Sequence, residues 1–262
     1  MSEFTEIDLG IKTGIGSNIL YFDSLDSTNT YLKKNASYFP EGCVIWAGEQ
    51  TAGRGREGNI WNSPENSGLY FSILTRLKVA VPQLQLITLM TALTLKKAVE
   101  DIASESRCQP AVIDIKWPND LFWKGKKFAG ILVEALHASG SLDIIVGIGL
   151  NLSMSEKDFP PDLKAKVCSL DQVYTGIESA DRNHILQKIL LQFRDDYKKF
   201  NPLQIVDEYR KTSNIWGKTC RFVSAGKEIH GFCRDITDEG ALIISTPSGD
   251  RTFLAGSLFV DW

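Results

Sequence analysis

The chain has 262 residues, enough for one large domain and a small one, and its 43% share of hydrophobic residues is that of an ordinary globular protein. Its formal net charge of −3 shows none of the basic surplus that a nucleic-acid-binding domain usually carries, so nucleic acid is not an expected partner. The five cysteines are odd in number and include no CxxC pair, which indicates free thiols in a reducing compartment. No cluster of histidines and cysteines indicates a bound metal.

Neither a signal peptide nor a membrane span is expected. Residues 1–4 are acidic and lack the basic and apolar regions of a signal peptide. The longest charge-free run, residues 79–95, contains Pro82, Gln83, Gln85 and three threonines, which would be costly in lipid. This run therefore predicts a buried helix, and the protein is expected in the cytoplasm without membrane association.

The first part of the chain predicts a mixture of strands and helices, taken here in chain order. An irregular, glycine-rich segment (1–17) is followed by a strand (19–22), a helix (28–37) with N-cap candidates at its start, a strand (44–47), a polar loop (51–66), a strand (69–77) and a helix (83–103). Strands then follow at 112–115 and 121–123, a hairpin turn at 124–126, strands at 131–136 and 142–150, and helices at 161–174 and 181–200, before a break at residues 201–202 and a short helix at 203–212.

The pattern changes after residue 217. Short β-like runs at 218–223, 228–235, 241–245 and 251–260 are separated by turn sequences rich in glycine, a spacing typical of a small antiparallel barrel. The sequence thus predicts an α+β catalytic domain, residues 1–216, followed by a small β-barrel domain, residues 217–262.

One loop combines glycines with cations: Gly53, Arg54, Gly55 and Arg56. Glycines let the backbone approach a ligand closely, and successive amide groups can bind an anion. Arginine supplies paired donors that suit a carboxylate or a phosphate. A solvated turn with surface arginines is the alternative interpretation, and the loop by itself does not decide between the two.

A second motif follows a short apolar strand and consists of Lys116, Trp117, Pro118, Asn119 and Asp120. A lysine at the end of a strand can point into a site, and the alternative is an ordinary edge turn with a surface lysine. Two further segments, 127–134 and 147–151, have small residues within apolar strands, where neighbouring groups can approach closely. No GxGxxG opens a helix in the second of them, so it is not a dinucleotide-binding fingerprint.

In this order and spacing, the four segments resemble those of the biotin protein ligases, and so does the upstream run Ser27, Thr28, Asn29. The resemblance covers roughly residues 19–260. It implies a mixed-sheet catalytic domain of the biotin/lipoate ligase type followed by an SH3-like β-barrel. It also implies an ATP-dependent enzyme that forms biotinyl-5'-AMP and transfers biotin to a lysine of a biotin carboxyl carrier domain of a carboxylase. Biotin and ATP with Mg²⁺ would be the substrates, and a homodimer is compatible with the family.

The resemblance also implies a role for each matched position. Biotin would contact Ser27, Thr28, Asn29 and Gln50 with its ring and tail, Gly53, Arg54 and Gly55 with its carboxylate end, and Gly130, Ile131 and Leu132 along the pocket wall. Arg56 and Lys116 would be the catalytic residues, with Arg56 on the phosphates and Lys116 bridging the biotin carboxylate and the α-phosphate. Trp61, Asn119 and Asn151 would bind the nucleotide.

Two departures from relatives stand out. Residues 57–60 contain the acid Glu57 and no cation, where many relatives carry cations, so triphosphate binding is expected to differ in detail. The resemblance begins near residue 19, so an N-terminal DNA-reading segment of the kind some relatives have is not expected.

Three alternatives have other functions. One is a lipoate or octanoate ligase of the same fold, and another is a non-catalytic biotin-binding regulator, which could lose Arg56 and Lys116. The third is a DNA-binding repressor, for which the sequence shows neither a DNA-reading segment nor a basic surplus. Asp120 is a candidate base for the transfer step, and a solvent-facing turn aspartate is its alternative interpretation.

Overall fold

The computed structural model describes residues 3–76, 83–138, 141–154, 159, 161, 163–177 and 181–262. Within these residues, the larger part of the molecule is built on an eight-stranded mixed sheet. Its strands are β1 (Thr5–Glu6), β2 (Asn18–Leu25), β3 (Cys43–Gln50), β4 (Gly68–Thr75), β5 (Asp114–Lys116), β6 (Asp120–Trp123), β7 (Lys126–Ala138) and β8 (Ser141–Asn151). Their order in the sheet is β1-β2-β3-β4-β8-β7-β6-β5.

The central strands are apolar on both faces because both faces of the sheet are covered. Alternate residues of β3 belong to two different cores: Val44 to one and Ile45 to the other. Strands β2 and β3 are parallel, which requires a crossover, and helix α1 (Thr28–Asn35) provides it on one face. Ser27 caps α1 by accepting a hydrogen bond from the Thr30 amide. The apolar runs seen in the sequence are therefore explained by burial between two layers.

The opposite face carries the longer helices α2 (Leu84–Glu105), α4 (Arg182–Lys198) and α5 (Pro202–Thr212), which share the larger core with the sheet. Helix α2 is the buried helix predicted from the charge-free run, although residues 79–82 of that run lie outside the described residues. The break at residues 201–202 is the start of α5: Asn201 caps the Gln204 amide and Pro202 takes the first helical position. No helix in the described part of the chain is long and apolar enough to cross a membrane.

The C-terminal residues form a second, five-stranded antiparallel sheet. Its strands are β9 (Thr219–Ser224), β10 (Lys227–Ile236), β11 (Leu242–Thr246), β12 (Gly249–Phe253) and β13 (Ser257–Val260), in the order β12-β11-β10-β9-β13. The predicted small β domain is confirmed, while its outer strands β12 and β13 are not paired with each other, so over these described residues the sheet is open. Trp117 joins the two sheets: its indole Nε1 donates to the carbonyl of Gly240 at 2.9 Å and its ring lies 6.1 Å from that of Phe222.

Four predicted elements differ in the structure. In place of a helix over 161–174, the described residues contain only the short α3 (Leu170–Val173), because the chain at Lys166 and Val167 pairs with Lys127 at the start of β7. The predicted strand 251–260 is two strands, separated by a turn in which Gly256 has a φ of +147°. The irregular N-terminal segment contains the short strand β1. The predicted strand 69–77 ends at Thr75, and Leu77 lies outside the described residues.

Candidate active site

A cavity of about 440 Å³ lies between the start of α1, the loop 53–61, the strands β5 to β8 and the strand β13. This volume suits a small organic ligand. Most of the site residues predicted from the sequence line it: Ser27, Thr28, Asn29, Gln50, Arg54, Gly55, Arg56, Trp61, Lys116, Asn119, Gly130, Ile131 and Leu132. Gly53 and Asn151 are the predicted residues that are not part of this lining.

One end of the cavity is a network of uncharged polar groups. Gln50 accepts a hydrogen bond from the Thr28 amide at 2.9 Å and donates to the Ser63 hydroxyl at 2.8 Å. Ser72 is fully buried on β4. Its hydroxyl oxygen lies 2.7 Å from the Thr28 hydroxyl and 2.6 Å from the Asn29 amide oxygen, within hydrogen-bond distance of both. These contacts hold the cavity's polar groups in fixed orientations. Sequence reasoning missed Ser72, although a serine between apolar residues of a strand was a usable signal.

Asn29 is engaged within the protein from every side. Its amide nitrogen donates to the carbonyl of Leu132 at 3.2 Å and to Oε2 of Glu134 at 2.9 Å. Its amide oxygen accepts a hydrogen bond from the Ser72 hydroxyl. Gly147 lies against it so closely that a Cβ at that position would come 2.1 Å from the Asn29 oxygen. Asn29 therefore supports the cavity wall, and its direct contact with a ligand stays a prediction.

The glycine–arginine loop, residues 53–61, is folded tightly on itself. The Gly55 amide donates to the Asn59 carbonyl at 2.7 Å, and the Trp61 amide donates to the Gly53 carbonyl at 3.0 Å. A Cβ on Gly53 would lie 2.4 Å from the Trp61 carbonyl oxygen, so this glycine is required by the loop's own close packing. Glu57 has a φ of +55°, in the left-handed region.

Arg56 brings the two motifs together. Its Nη1 donates to Oδ1 of Asn119 at 3.1 Å, and its guanidinium carbon lies 5.9 Å from the centre of the Trp117 ring. Burial lowers the pKa of Arg56, while the charge of Asp120 acts in the opposite direction. Arg56 is therefore partly buried and is held against the second motif. Asn119 is itself held by a bond from its Nδ2 to the Ile131 carbonyl at 2.8 Å.

Asp120 lies between two lysines at the charged end of the cavity. Its Oδ2 is 3.6 Å from Nζ of Lys116 and its Oδ1 is 2.6 Å from Nζ of Lys127. Burial alone would raise the pKa of Asp120, but the charges of Lys127 and Lys116 outweigh it and hold the pKa below its ordinary value. Burial lowers the pKa of Lys116, against the opposing effect of Asp120. The solvent-facing interpretation of Asp120 is thus wrong, since only 8% of the residue is exposed.

Lys127 was not assigned a role from the sequence, although it begins the segment 127–134. Its ammonium group lies 5.1 Å from the centre of the Trp61 ring. That ring rests on the sheet where two glycines leave room: a Cβ on Gly130 would lie 3.0 Å from the ring, and one on Gly149 would lie 2.4 Å from it. The small residues noted in the two segments therefore make space for an aromatic ring.

Asn151 is buried at the end of β8 and is not part of the cavity lining. Its Nδ2 donates to the Cys168 carbonyl at 3.0 Å. Its predicted contact with a nucleotide stays a prediction.

The C-terminal sheet contributes the rim of the cavity through Gly256, Ser257, Leu258 and Phe259. The Ser257 hydroxyl donates to Oε2 of Glu57 at 2.5 Å. The acid that departs from many relatives is therefore bonded to the second sheet. Sequence reasoning missed these rim residues, and no local pattern in β13 indicated them.

No group of three or more histidine, cysteine, aspartate or glutamate side chains in the described part of the chain could hold a metal ion.

Comparisons with known proteins identify the family to which this chain belongs. Residues 21–151 match the model of the Biotin/lipoate A/B protein ligase family, and residues 215–260 match that of the Biotin protein ligase C terminal domain. A curated relative, the Bifunctional ligase/repressor BirA of Bacillus subtilis, is 33% identical over 97% of this chain and 78% of its own length. This chain belongs to the biotin/lipoate A/B protein ligase family.

Two further similar proteins support the assignment to this family. The Biotin--[acetyl-CoA-carboxylase] ligase of Mycobacterium tuberculosis is 30% identical over 83% of this chain and 77% of its own length. The solved structure of a biotin protein ligase from Aquifex aeolicus in complex with biotin and ATP matches with a TM-score of 0.75 and 28% identity, over 93% of this chain and 98% of that chain. The resemblance to the biotin protein ligases and the α+β fold with a small C-terminal β domain, both predicted from the sequence, are confirmed.

Proposed function

We propose that this chain is an ATP-dependent biotin protein ligase, which forms biotinyl-5'-AMP from biotin and ATP and then transfers biotin to a lysine of a biotin carboxyl carrier domain. The observation that carries the proposal is that one cavity is lined both by the uncharged polar groups of Thr28 and Gln50 and by the cations Arg56 and Lys116. The named relatives, several of which are biotin ligases, support the choice of biotin.

The two ends of the cavity suit the two parts of biotin. A ureido ring is uncharged and presents both donors and acceptors, which the hydroxyl and amide groups of Ser27, Thr28 and Gln50 can match. Ile131 and Leu132 line the wall between the two ends and suit the apolar parts of the molecule. Biotin is therefore expected to lie with its ring at the polar network and its carboxylate toward Lys116.

The first chemical step joins two anions, a carboxylate and ATP, whose repulsion must be offset by positive charge held in place. Arg56, Lys116 and Lys127 outnumber Asp120 at this end of the cavity. The carboxylate oxygen attacks the α-phosphorus and pyrophosphate leaves with Mg²⁺, which enters as part of the nucleotide substrate. Positioning and charge stabilisation are thus the main contributions of the protein.

In the second step the amine of the acceptor lysine attacks the acyl carbon, and AMP leaves with the electrons of the broken acyl–oxygen bond. Asp120 is poorly suited to accept the proton of that amine, because it is ionised, buried and already paired with two ammonium groups. Its contribution is to hold Lys116 and Lys127 in place. Closure of the loop 53–61 would exclude water from the mixed anhydride between the steps.

The proposal includes three further expectations. The domain boundary lies at residues 216 and 217, close to the start of the matched C-terminal model at 215. The protein acts in the cytoplasm, which its five free cysteines support. The acceptor belongs to a biotin-dependent carboxylase, as the name of the mycobacterial relative suggests.

The test is to incubate the protein with biotin, ATP, Mg²⁺ and a carrier domain and to measure the mass of that domain, with parallel reactions in which lipoate or octanoate replaces biotin. Biotin addition that depends on ATP is the expected result. Modification with lipoate or octanoate alone would identify the lipoate-type ligase instead. Biotin binding without biotin-dependent pyrophosphate exchange would identify a non-catalytic regulator.

A further inference from the structure

Glu134, on β7, connects two parts of the site that are far apart in the sequence. Its carboxylate accepts hydrogen bonds from Asn29 at 2.9 Å and from Lys33 at 2.9 Å, both on α1. It also lies 3.3 Å from Nη1 of Arg54, in the glycine–arginine loop. Only 15% of its side chain is exposed. One carboxylate thus contacts both the helix that begins at the polar end of the cavity and the loop that covers the cavity.

The contact with Asn29 orients the first turn of α1. Asn29 has two amide hydrogens, and they go to Glu134 and to the Leu132 carbonyl, while its oxygen accepts from Ser72. The same Ser72 hydroxyl lies 2.7 Å from that of Thr28, next to Asn29 in the chain. A change at Glu134 would therefore be transmitted to the hydroxyl and amide groups expected to meet the biotin ring.

The contact with Arg54 holds the loop from the other side. The side chain of Arg54 is 45% exposed and forms an ion pair with the Glu134 carboxylate. Burial would raise the pKa of Glu134, but the hydrogen bonds from Asn29 and Lys33 and the charge of Arg54 keep the pKa below its ordinary value. The carboxylate is therefore ionised at neutral pH and attracts the guanidinium.

We propose that Glu134 is a positioning residue that couples recognition of the biotin ring to closure of the glycine–arginine loop, by orienting Asn29 and holding Arg54 at the same time. This inference rests on the proposed function, because it takes biotin as the ligand of the cavity. A ligand that fixes the first turn of α1 also fixes Glu134, which then favours the closed position of the loop.

The test is Glu134→Gln, which keeps the size and one acceptor oxygen for Asn29 but removes the charge that attracts Arg54. The KM for biotin in pyrophosphate exchange should rise about tenfold, which corresponds to ~1.4 kcal/mol. The KM for ATP should change by less than about twofold, since ATP is expected at the Lys116 end. Trypsin should also cleave the loop faster in the variant at saturating biotin. Glu134→Asp, which keeps the charge, should recover part of both effects.

Lys33→Met is the matched control. It removes a partner of the same carboxylate and leaves the contacts with Asn29 and Arg54 unchanged. Its biotin KM and its loop cleavage should stay within about twofold of wild type. A second comparison uses Arg54→Met, with cleavage followed at Arg56 because the substitution removes the trypsin site at Arg54. If Glu134 acts on the loop through Arg54, adding Glu134→Gln to that variant should not increase cleavage at Arg56 further.

Two outcomes would overturn the inference. One is a Glu134→Gln protein that is folded by circular dichroism and has an unchanged biotin KM and unchanged loop cleavage. The other is an equal rise in biotin KM for Glu134→Gln and Lys33→Met, which would mean that the carboxylate only anchors α1. Failure of the proposed function is distinguishable from both, because it would appear in the wild-type protein as missing biotin-dependent pyrophosphate exchange.

Discussion

Asp120→Asn should destabilise the protein strongly, because it removes the carboxylate between Lys116 and Lys127. The substitution keeps the size of the side chain and leaves two partly buried ammonium groups beside an uncharged amide. With Oδ1 at 2.6 Å from Lys127 and Oδ2 at 3.6 Å from Lys116, the lost attractions are about 6 and about 5 kcal/mol in gross terms at an effective dielectric constant of about 20.

The net loss is smaller than this gross figure. The carboxylate no longer has to be desolvated, and Lys116, whose pKa burial lowers, can lose its proton in the variant. Breaking a buried ion pair by removing one partner typically costs about 3–5 kcal/mol, and we expect the loss of unfolding free energy in this range. Such a loss is a large part of the ~5–15 kcal/mol that stabilises a typical domain.

Urea unfolding at neutral pH measures the difference in unfolding free energy between wild type and the variant. The dependence of that free energy on urea concentration should be compared between the two proteins. Asp207→Asn is the control, because Asp207 is an exposed partner of Arg210 at 3.6 Å, and its loss should cost less than about 1 kcal/mol. The pKa of Asp120 is lowered in the folded state, so its stabilisation is present above the ordinary value of 3.8 and is lost as the pH falls through the folded pKa. Removing Asp120 should therefore weaken the loss of stability in acid.

The same variant separates two roles for Asp120. If Asp120 holds Lys116 in place, the variant Asp120→Asn should slow pyrophosphate exchange as well as transfer. If Asp120→Asn were within about 1 kcal/mol of wild type and kept normal pyrophosphate exchange while transfer to the carrier domain collapsed, Asp120 would be the base of the second step and the reasoning above would be refuted.

Three further predictions concern the cavity. Lys116→Ala should slow adenylate formation by about 10²–10³-fold, because it removes a cation held at the developing charge, and near-normal pyrophosphate exchange would contradict that role. Arg56→Gly should still form the intermediate but release it faster, so that serum albumin becomes biotinylated; unchanged release without albumin labelling would show that Arg56 does not retain it. Gly149→Ala should raise the KM for ATP more than Gly130→Ala does, because its Cβ would lie 2.4 Å rather than 3.0 Å from the Trp61 ring; equal effects would argue against Trp61 as part of the nucleotide site.

Local sequence patterns predicted most elements of the fold because burial leaves a periodic trace in the chain. Helix α2 and the strands β3 and β4 follow directly from their apolar residues. The predicted helix over 161–174 was wrong because a tertiary contact overrode local preference: the chain on either side of Val167 forms backbone hydrogen bonds with Lys127, which a continuous helix would not allow. Local periodicity contains no information about such a distant partner.

The candidate site also has features that the sequence predicted and features that only the structure showed. The sequence alone determined which residue types are available, namely the glycines and arginines of the loop and the lysine of the second motif, and these indicated carboxylate and phosphate chemistry. Their order also indicated the family, which the comparisons confirmed. Motif residues are recognisable because neighbours in the chain keep a fixed spacing.

Only the tertiary structure decided which groups act together. It paired Asp120 with both Lys116 and Lys127, and it showed that Glu57 is bonded to Ser257, 200 positions further along the chain. It also placed Glu134 between Asn29 and Arg54. A carboxylate can hold a cation or an amide only within about 3–4 Å. Such distances depend on how the strands and helices pack, and residue spacing along the chain does not contain them.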